Sequence, residues 1–240
     1  MSQSSTNAAI SNPAFDPVGA ARAIIPVLKE SAERSESQRC VDSAAIQALQ
    51  QSGLSRMLAP ASLGGYELSP SAHIRSCRIL AEGCSAASWV HMVCGAHTYV
   101  LGRYPQQCQE EVFDGNPDIL LPGTLAPQGK ARQTTGGWVL NGRWQFASGV
   151  DHGDWLLIGA KAVADDGETG LMSVHVFVPK SDLTVLDTWH TLGMRGTGSK
   201  DLVADDVFVP DHRAMETPLM FNGDFEGDVE IGRASCRERV

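Results

Sequence analysis

Trp144, Phe146 and Ser148 alternate along one short β-like run that breaks at Gly149. Alternation of this kind puts side chains on one face of a strand. Two aromatic planes beside a small hydroxyl suit a flat heteroaromatic ligand: its ring stacks on the aromatics and a polar edge atom meets the hydroxyl. The same residues also describe an ordinary core strand with a satisfied serine. Asn141-Gly142, just after Trp138-Val139-Leu140, predicts a two-residue hairpin turn in front of that strand, because a type I′ turn needs positive φ twice.

Other chemistry-bearing residues are scattered. His91 and His97 fall on a long apolar helical stretch, where a histidine is either a core residue bonded to a backbone carbonyl or a neutral base. His152, between Asp151 and Asp154, reads as surface or turn structure. Arg195-Gly196-Thr197-Gly198-Ser199 is glycine-rich; it presents backbone N–H groups to an anion or forms a turn between strands. There is no phosphate-binding Gly-x-x-x-x-Gly-Lys-Ser/Thr loop, no Gly-x-Gly-x-x-Gly after a strand and no Gly-x-Ser-x-Gly. No metal site is expected.

The elements that must position these residues fall into two blocks. Asp16-Pro17 caps and opens a first helix, and Asp42 caps a second that Gly53 stops. Ser69-Pro70 opens a third helix with Ile74, Cys77, Leu80 and Ala81 on its buried face. A fourth, apolar nearly all round, runs over residues 85–104, and Pro105 separates it from a short helix over 106–113. After Asn116-Pro117, β-like runs appear at 119–121, 138–140, 143–147, 155–162, 171–178 and 202–209. Turn signals separate them, among them Gly136-Gly137 and Asp165-Asp166-Gly167. Helices followed by strands predict an α+β chain. Its expected division is a disordered arm over 1–15, a helical domain over 16–117, a β domain over 118–222 and the start of a linker over 223–230.

Residues 231–240 read as the translation of a sequencing adaptor, so the natural chain is expected to run to about Glu230 and be cut there. Dropping that tail, with its three arginines and one glutamate, takes the net charge from −9 to −11. Such acidity argues against nucleic acid or an anionic membrane as partner. No apolar run reaches the ~20 residues of a membrane-spanning helix. Cys40, Cys77, Cys84, Cys94 and Cys108 are odd in number and lack a Cys-x-x-Cys pair, which supports neither a disulfide framework nor zinc. The expected location is the cytoplasm.

Taken in order, these segments resemble the acyl-CoA dehydrogenase fold, and within it the two-component flavin-dependent monooxygenases that hydroxylate aromatic compounds. The resemblance spans about residues 20–222. It rests on Leu63-Gly64-Gly65-Tyr66, Ser88-Trp89-Val90 through His97, Ala126-Pro127-Gln128-Gly129-Lys130-Ala131, the stretch from Gly137 to Trp155, and Trp189 through Arg213. It implies a helical domain, a middle antiparallel β-barrel-like domain and a C-terminal four-helix bundle that is missing here. It also implies reduced FMN or FAD as cofactor and molecular oxygen as co-substrate, with a C4a-hydroperoxide formed on the flavin. The implied partners are a separate NAD(P)H:flavin reductase, a small phenolic or polycyclic aromatic substrate, and further copies of the chain in a tetramer.

Residue by residue, the resemblance implies that Ser148 faces flavin N5 and that Trp144, Phe146 and Ala147 belong to the strand packed along the flavin. Trp189 walls the ring pocket. His97 contacts the phenolic oxygen, and Gly123-Thr124 falls where the phenol hydroxylases commonly carry Ser-Ser. Thr124 thus keeps a hydroxyl toward flavin or substrate, and Gly123 does not. Two other functions share parts of this pattern. An acyl-CoA dehydrogenase typically carries Thr-Glu-Pro-x-Ala-Gly-Ser where this chain has Leu125 to Ala131, and Trp-Ile-Thr-Asn where it has Phe146 to Gly149. A non-catalytic flavin-binding scaffold has no need of Ser148, His97 and Trp189 together. Without the bundle, the chain is expected to be inactive.

Overall fold

Local sequence accounts for the helical block. The computed structural model describes residues 15–163 and 169–222; the arm over 1–15 apart from Phe15, which stacks on Tyr66, the Asp165-Asp166-Gly167 turn, the linker over 223–230 and the tail over 231–240 lie outside them. Asp16 caps α1 (Pro17–Gln38), its carboxylate accepting the Val18 N–H at 3.0 Å, and Pro17 sits in the first turn, where its missing N–H costs nothing. Asp42 caps α2 (Ser43–Gln51) through the Ala44 N–H at 3.1 Å and also binds Arg34 of α1 at 3.0 Å.

The buried face of α3 (Pro70–Leu80) differs from expectation. His73, Ser76, Cys77 and Leu80 are buried, whereas Ile74 is 66% exposed and Ala81 is exposed as well. Positions 73, 76, 77 and 80 form one helical stripe. Its polar members are held inside by hydrogen bonds: Ser76 donates to the His73 carbonyl at 2.7 Å, and His73 Nε2 donates to the Met92 carbonyl at 3.2 Å, although the buried His73 Nδ1 has no partner. Among the described residues, His73, Cys77 and His91 lie close enough to share a metal ion. The Met92 carbonyl and the Ser76 hydroxyl engage Nε2 of the two imidazoles, and burial pushes the Cys77 thiol up to about 12, away from the thiolate a metal needs.

Helix α4 (Ser85–Leu101) stops three residues before the expected Tyr104, and α5 (Gln106–Phe113) follows Pro105 as expected. Among the described residues, no helix is long and apolar enough to cross a membrane. The five described cysteines are free.

The strands are β1 (Gly123–Thr134), β2 (Gly137–Ala147), β3 (Trp155–Val163), β4 (Thr169–Pro179), β5 (Thr184–Leu186), β6 (Lys200–Pro210) and β7 (Ala214–Glu216); a short α6 (Thr217–Asn222) closes the described chain. They form one sheet in the order β5-β6-β2-β1-β3-β4-β7. Contrary to the antiparallel, barrel-like expectation, this sheet is open and mixed, because β1 and β3 run parallel. The reason is local. Chain β2 returns to the start of β1, where Ser148 bridges Gly123, and β3 then begins against the same glycine through Leu157.

Two further expectations fail in the sheet. The β1–β2 hairpin turns at Thr135-Gly136, and Asn141-Gly142 lies within β2. Gly142 does take positive φ, +137°, but it serves a bulge against β6, where the Asn141 amide binds Asp206 twice, at 2.8 and 3.0 Å. Residues 119–121 form no strand; the strand starts at Gly123 and carries Pro127, Gln128, Lys130 and Arg132, a run without clean alternation.

One core fills the helical block and a second fills the inner face of the sheet around Trp144, Leu156 and Val176. A third joins the two, with Tyr104, Val112 and Phe113 packed against Leu121, Leu157 and Phe177. At that seam Arg56 pairs with Asp118, and Tyr104 donates its hydroxyl to the His175 carbonyl at 2.8 Å. The seam joins the C-terminal end of α4 to β3 and β4, while its N-terminal half meets the end of β2, where Val90 lies beside Gly149.

Candidate active site

Strand β2 ends in a deliberate irregularity. Its register against β6 shifts between Trp144 and Ala147, and Phe146 takes φ +67°, a conformation rare for a bulky residue. Side-chain alternation is therefore broken. Trp144 points inward, fully buried, and donates its indole N–H to the Gly159 carbonyl at 2.6 Å. Ala147 is buried in the same core, whereas Phe146 points outward and is 59% exposed. The expected common face for Trp144, Phe146 and Ser148 is thus overturned: Trp144 packs inside the sheet, and Phe146 and Ser148 open on a cleft.

That cleft, of about 430 Å³, lies between the N-terminal part of α4, the end of β2 and the loop over 187–199; it is lined by Trp89, Phe146, Ser148, Trp189, Met194, Thr197 and Ser199. Phe146 and Trp189 meet edge to face, with centroids 6.0 Å apart. The loop is moored to the end of α1, where Arg39 holds Asp187 in a two-point ion pair at 2.7 Å and donates to the Trp189 carbonyl. Arg39 draws the Asp187 carboxyl below its ordinary range through that same hydrogen bond. Trp189 donates its indole N–H to the Met194 carbonyl at 3.1 Å, and Gly149 donates to the Thr197 carbonyl at 2.9 Å.

Ser148 sits at the base, almost fully buried. Trp89 donates its indole N–H to Ser148 Oγ at 3.0 Å, and Ser199 Oγ lies 2.8 Å away. Trp89, Thr197, Ser199 and Met194 were not singled out as site residues from sequence. Trp89 and the turn over 195–199 stand in segments that carry the family resemblance, but nothing in their spacing shows that they converge.

His97 stands apart from this cleft. It lies eight residues beyond Trp89 on α4, about 12 Å along the axis, and is buried. Its Nδ1–H donates to the Leu121 carbonyl at 2.7 Å, which leaves Nε2 as an acceptor in the neutral ring. Gly123 begins β1 two residues on, and Thr124 is half-buried beside it. His97 and Ser148 are therefore linked through the 121–123 segment and not across the cleft.

Burial lowers the His97 pKa to about 4, outweighing the backbone carbonyls that favour its charged form. A histidine with an ordinary pKa near 6.5 when unfolded and about 4 when folded contributes stability that is fully present above the unfolded value and lost as pH falls toward the folded one. For His97 alone the loss between about pH 6.5 and 4 is about 3 kcal/mol, and His73, His91 and His175 are lowered by burial as well. The expected result is a denaturation midpoint that drops steeply over this window, with a shallower slope in His97→Gln. An identical slope in the two chains would exclude His97 as a contributor.

No protein-family model matches the chain. It is 34% identical over 200 residues to the oxygenase subunit HsaA of a flavin-dependent monooxygenase from Rhodococcus jostii, a match covering 83% of this chain and 52% of the relative. It is also 34% identical over 210 residues to the oxygenase component of an FADH2-dependent resorcinol hydroxylase from Rhizobium sp., covering 88% and 51%. Among solved structures, XiaF from Streptomyces sp., in complex with FADH2 and glycerol, superposes with a TM-score of 0.81 at 33% identity, covering 85% of this chain and 52% of that one.

Fold and sequence together point to one class: over the stretch it covers, the chain is similar to flavin-dependent monooxygenases. Within that class its relatives are oxygenase components. The chain spans about half the length of the curated relatives it matches.

Proposed function

We propose that the protein is the oxygenase component of a two-component monooxygenase that hydroxylates a phenolic or polycyclic aromatic compound, using reduced FMN or FAD supplied by a separate NAD(P)H:flavin reductase. The observation that carries this reading is the cleft itself, with Trp89, Phe146 and Trp189 around a space of about 430 Å³ and the Ser148 hydroxyl at its base. Planar aromatic walls with one polar group suit an isoalloxazine ring, and the volume is that of a small-molecule pocket.

When bound, reduced flavin would supply the two electrons that activate dioxygen, one atom of which goes to the substrate and the other to water. The protein supplies placement and dryness. Phe146 and Trp189 flank the ring and exclude water, and Ser148 holds the proton at N5. Retaining that proton suppresses loss of the activated oxygen as hydrogen peroxide. His97, with Nε2 left as an acceptor, is the proposed partner of a phenolic hydroxyl, and the hydrogen bond it accepts raises electron density on the ring to be oxidised. Thr124 and Gly123 border the substrate side. Trp144 and Ala147 act only by fixing the backbone of β2. The additional length of the relatives is the proposed source of the remaining walls: a C-terminal four-helix bundle and neighbouring subunits of a tetramer. On this reading the present chain is catalytically incomplete.

The test is anaerobic titration of the chain with reduced FMN and FAD, followed by tryptophan fluorescence; binding with quenching supports the cleft as the flavin site. In the whole protein, Ser148→Ala should raise the peroxide released per flavin oxidised severalfold at the expense of hydroxylated product. Unchanged coupling rejects the role of Ser148. An enzyme that instead retains oxidised FAD and is bleached by an acyl-CoA is a dehydrogenase.

A further inference from the structure

Six of the seven methionines lie among the described residues, and they differ in access. Met57, Met215 and Met220 are buried, and Met92 is half-buried on α4. Met172 and Met194 are exposed, at 46% and 37%. Of these six only Met194 lines the cleft, beside Trp189. Met172 lies on β4, three strands along the sheet from β2. The backbone of Met194 is pinned in a left-handed conformation, φ +56°. Its carbonyl accepts the Trp189 indole N–H at 3.1 Å, the Thr197 N–H at 3.1 Å and the Thr197 hydroxyl at 2.9 Å. Three donors on one carbonyl hold this residue at the cleft.

A thioether reacts with hydrogen peroxide as it stands, whereas a thiol must first ionise. Cys40 is the least buried of the described cysteines, burial pushes its thiol up, and no described cysteine lines the cleft. Met194 thus carries the one sulfur facing that space. We propose that Met194 is a modification site, oxidised to the sulfoxide by hydrogen peroxide released in the cleft, and that the sulfoxide weakens flavin binding. This rests on the reading of the cleft as a flavin site: reduced flavin that meets oxygen without transferring an atom to substrate yields oxidised flavin and hydrogen peroxide. The Met194 sulfur then bonds one peroxide oxygen, the O–O bond breaks, and the other oxygen leaves with both hydrogens as water. Sulfur loses two electrons and the peroxide gains them. The product is a polar side chain in place of an apolar one. The hydroxyls at the base of the cleft already bond one another, at 2.8 and 2.7 Å, so the new oxygen stands in the wall that Trp189 and Phe146 make apolar.

Peptide mass spectrometry on the full chain, mixed with reduced FMN and oxygen in the presence of catalase, tests the proposal. Catalase destroys peroxide that has escaped to bulk water, so Met194 should gain oxygen severalfold faster than Met172, although Met172 is the more exposed. With peroxide added from outside and no flavin present, that preference should vanish. Equal oxidation of the two residues in the flavin reaction, or protection of both by catalase, overturns the proposal. The chain oxidised by added peroxide should bind reduced FMN about tenfold more weakly, the scale of one polar group set in an apolar contact. Met194→Leu keeps an apolar side chain without the sulfur; its affinity, whatever the starting value, should not change on the same treatment, whereas Met172→Leu should lose affinity as the parent does. An equal loss in Met194→Leu assigns the effect to another residue and overturns the proposal. Failure of the untreated chain to bind reduced FMN overturns the flavin reading itself, and the proposal with it.

Discussion

Trp144→Ala should lower the free energy of unfolding by about 5 kcal/mol, whereas Phe146→Ala should leave it within about 1 kcal/mol of the parent. Both aromatics lie on the same strand two residues apart, and a regular strand would give them equivalent surroundings. The shifted register after Trp144 and the positive φ at Phe146 separate them. Trp144 is fully buried, with its ring edge against Gly129, where an added Cβ would come within 2.4 Å of it. Truncating it leaves a cavity in the middle of the sheet and strips the buried Gly159 carbonyl of its donor, and the two costs add.

Phe146 has the opposite account. Most of its ring meets solvent, and a smaller residue relieves part of the cost of its left-handed backbone. Its loss should instead appear in flavin binding, by weakening the aromatic wall it forms with Trp189. Urea denaturation of the two variants, beside flavin titration, separates these roles. Comparable destabilisation by both substitutions would mean that the strand end is regular in solution and that Trp144 shares the face of Phe146 after all.

Gly123→Ser is the second large effect, with an expected loss of about 4 kcal/mol and of flavin binding. Gly123 takes φ +145° and is held on both sides, pairing with Leu157 of β3 and bridging Ser148. A Cβ at this position would lie 1.9 Å from the Leu157 carbonyl oxygen and within 2.9 Å of its nitrogen. All of these neighbours are backbone atoms, so relief requires moving a strand and not merely turning a side chain. The strand that moves carries the bridge to Ser148, which is why stability and ligand binding should fail together. The family resemblance implies a serine here, so the substitution also asks whether this backbone can accommodate one. Gly123→Ser with an unchanged denaturation midpoint and intact flavin affinity would show that it can.

Which parts of the site were legible depended on the range of the interactions that make it. Asp16 and Asp42 cap helices through contacts two residues away, and Pro105 separates two helices by its own covalent geometry. Such features can be read from neighbours alone. Hydrophobicity alone predicts Ile74 on the buried face, but the stripe that faces inward carries His73 and Ser76, whose hydrogen bonds form only in the folded chain. Asn141-Gly142 did signal positive φ, but whether such a pair makes a turn or a bulge depends on β6, some sixty residues away.

The sequence by itself determined the order of helices before strands, the cap residues, the family resemblance and Ser148 as the hydroxyl of interest. Only the tertiary structure decided which aromatics accompany it. Trp89 reaches Ser148 across 59 positions and Ser199 across 51, distances over which neither periodicity nor local propensity carries information. Burial and the indole N–H donated to the Gly159 carbonyl, 15 positions away, likewise decided that Trp144 belongs to the core. A hydroxyl's identity is written in the chain, but its direction is set by whichever donors and acceptors folding brings within 3 Å of it.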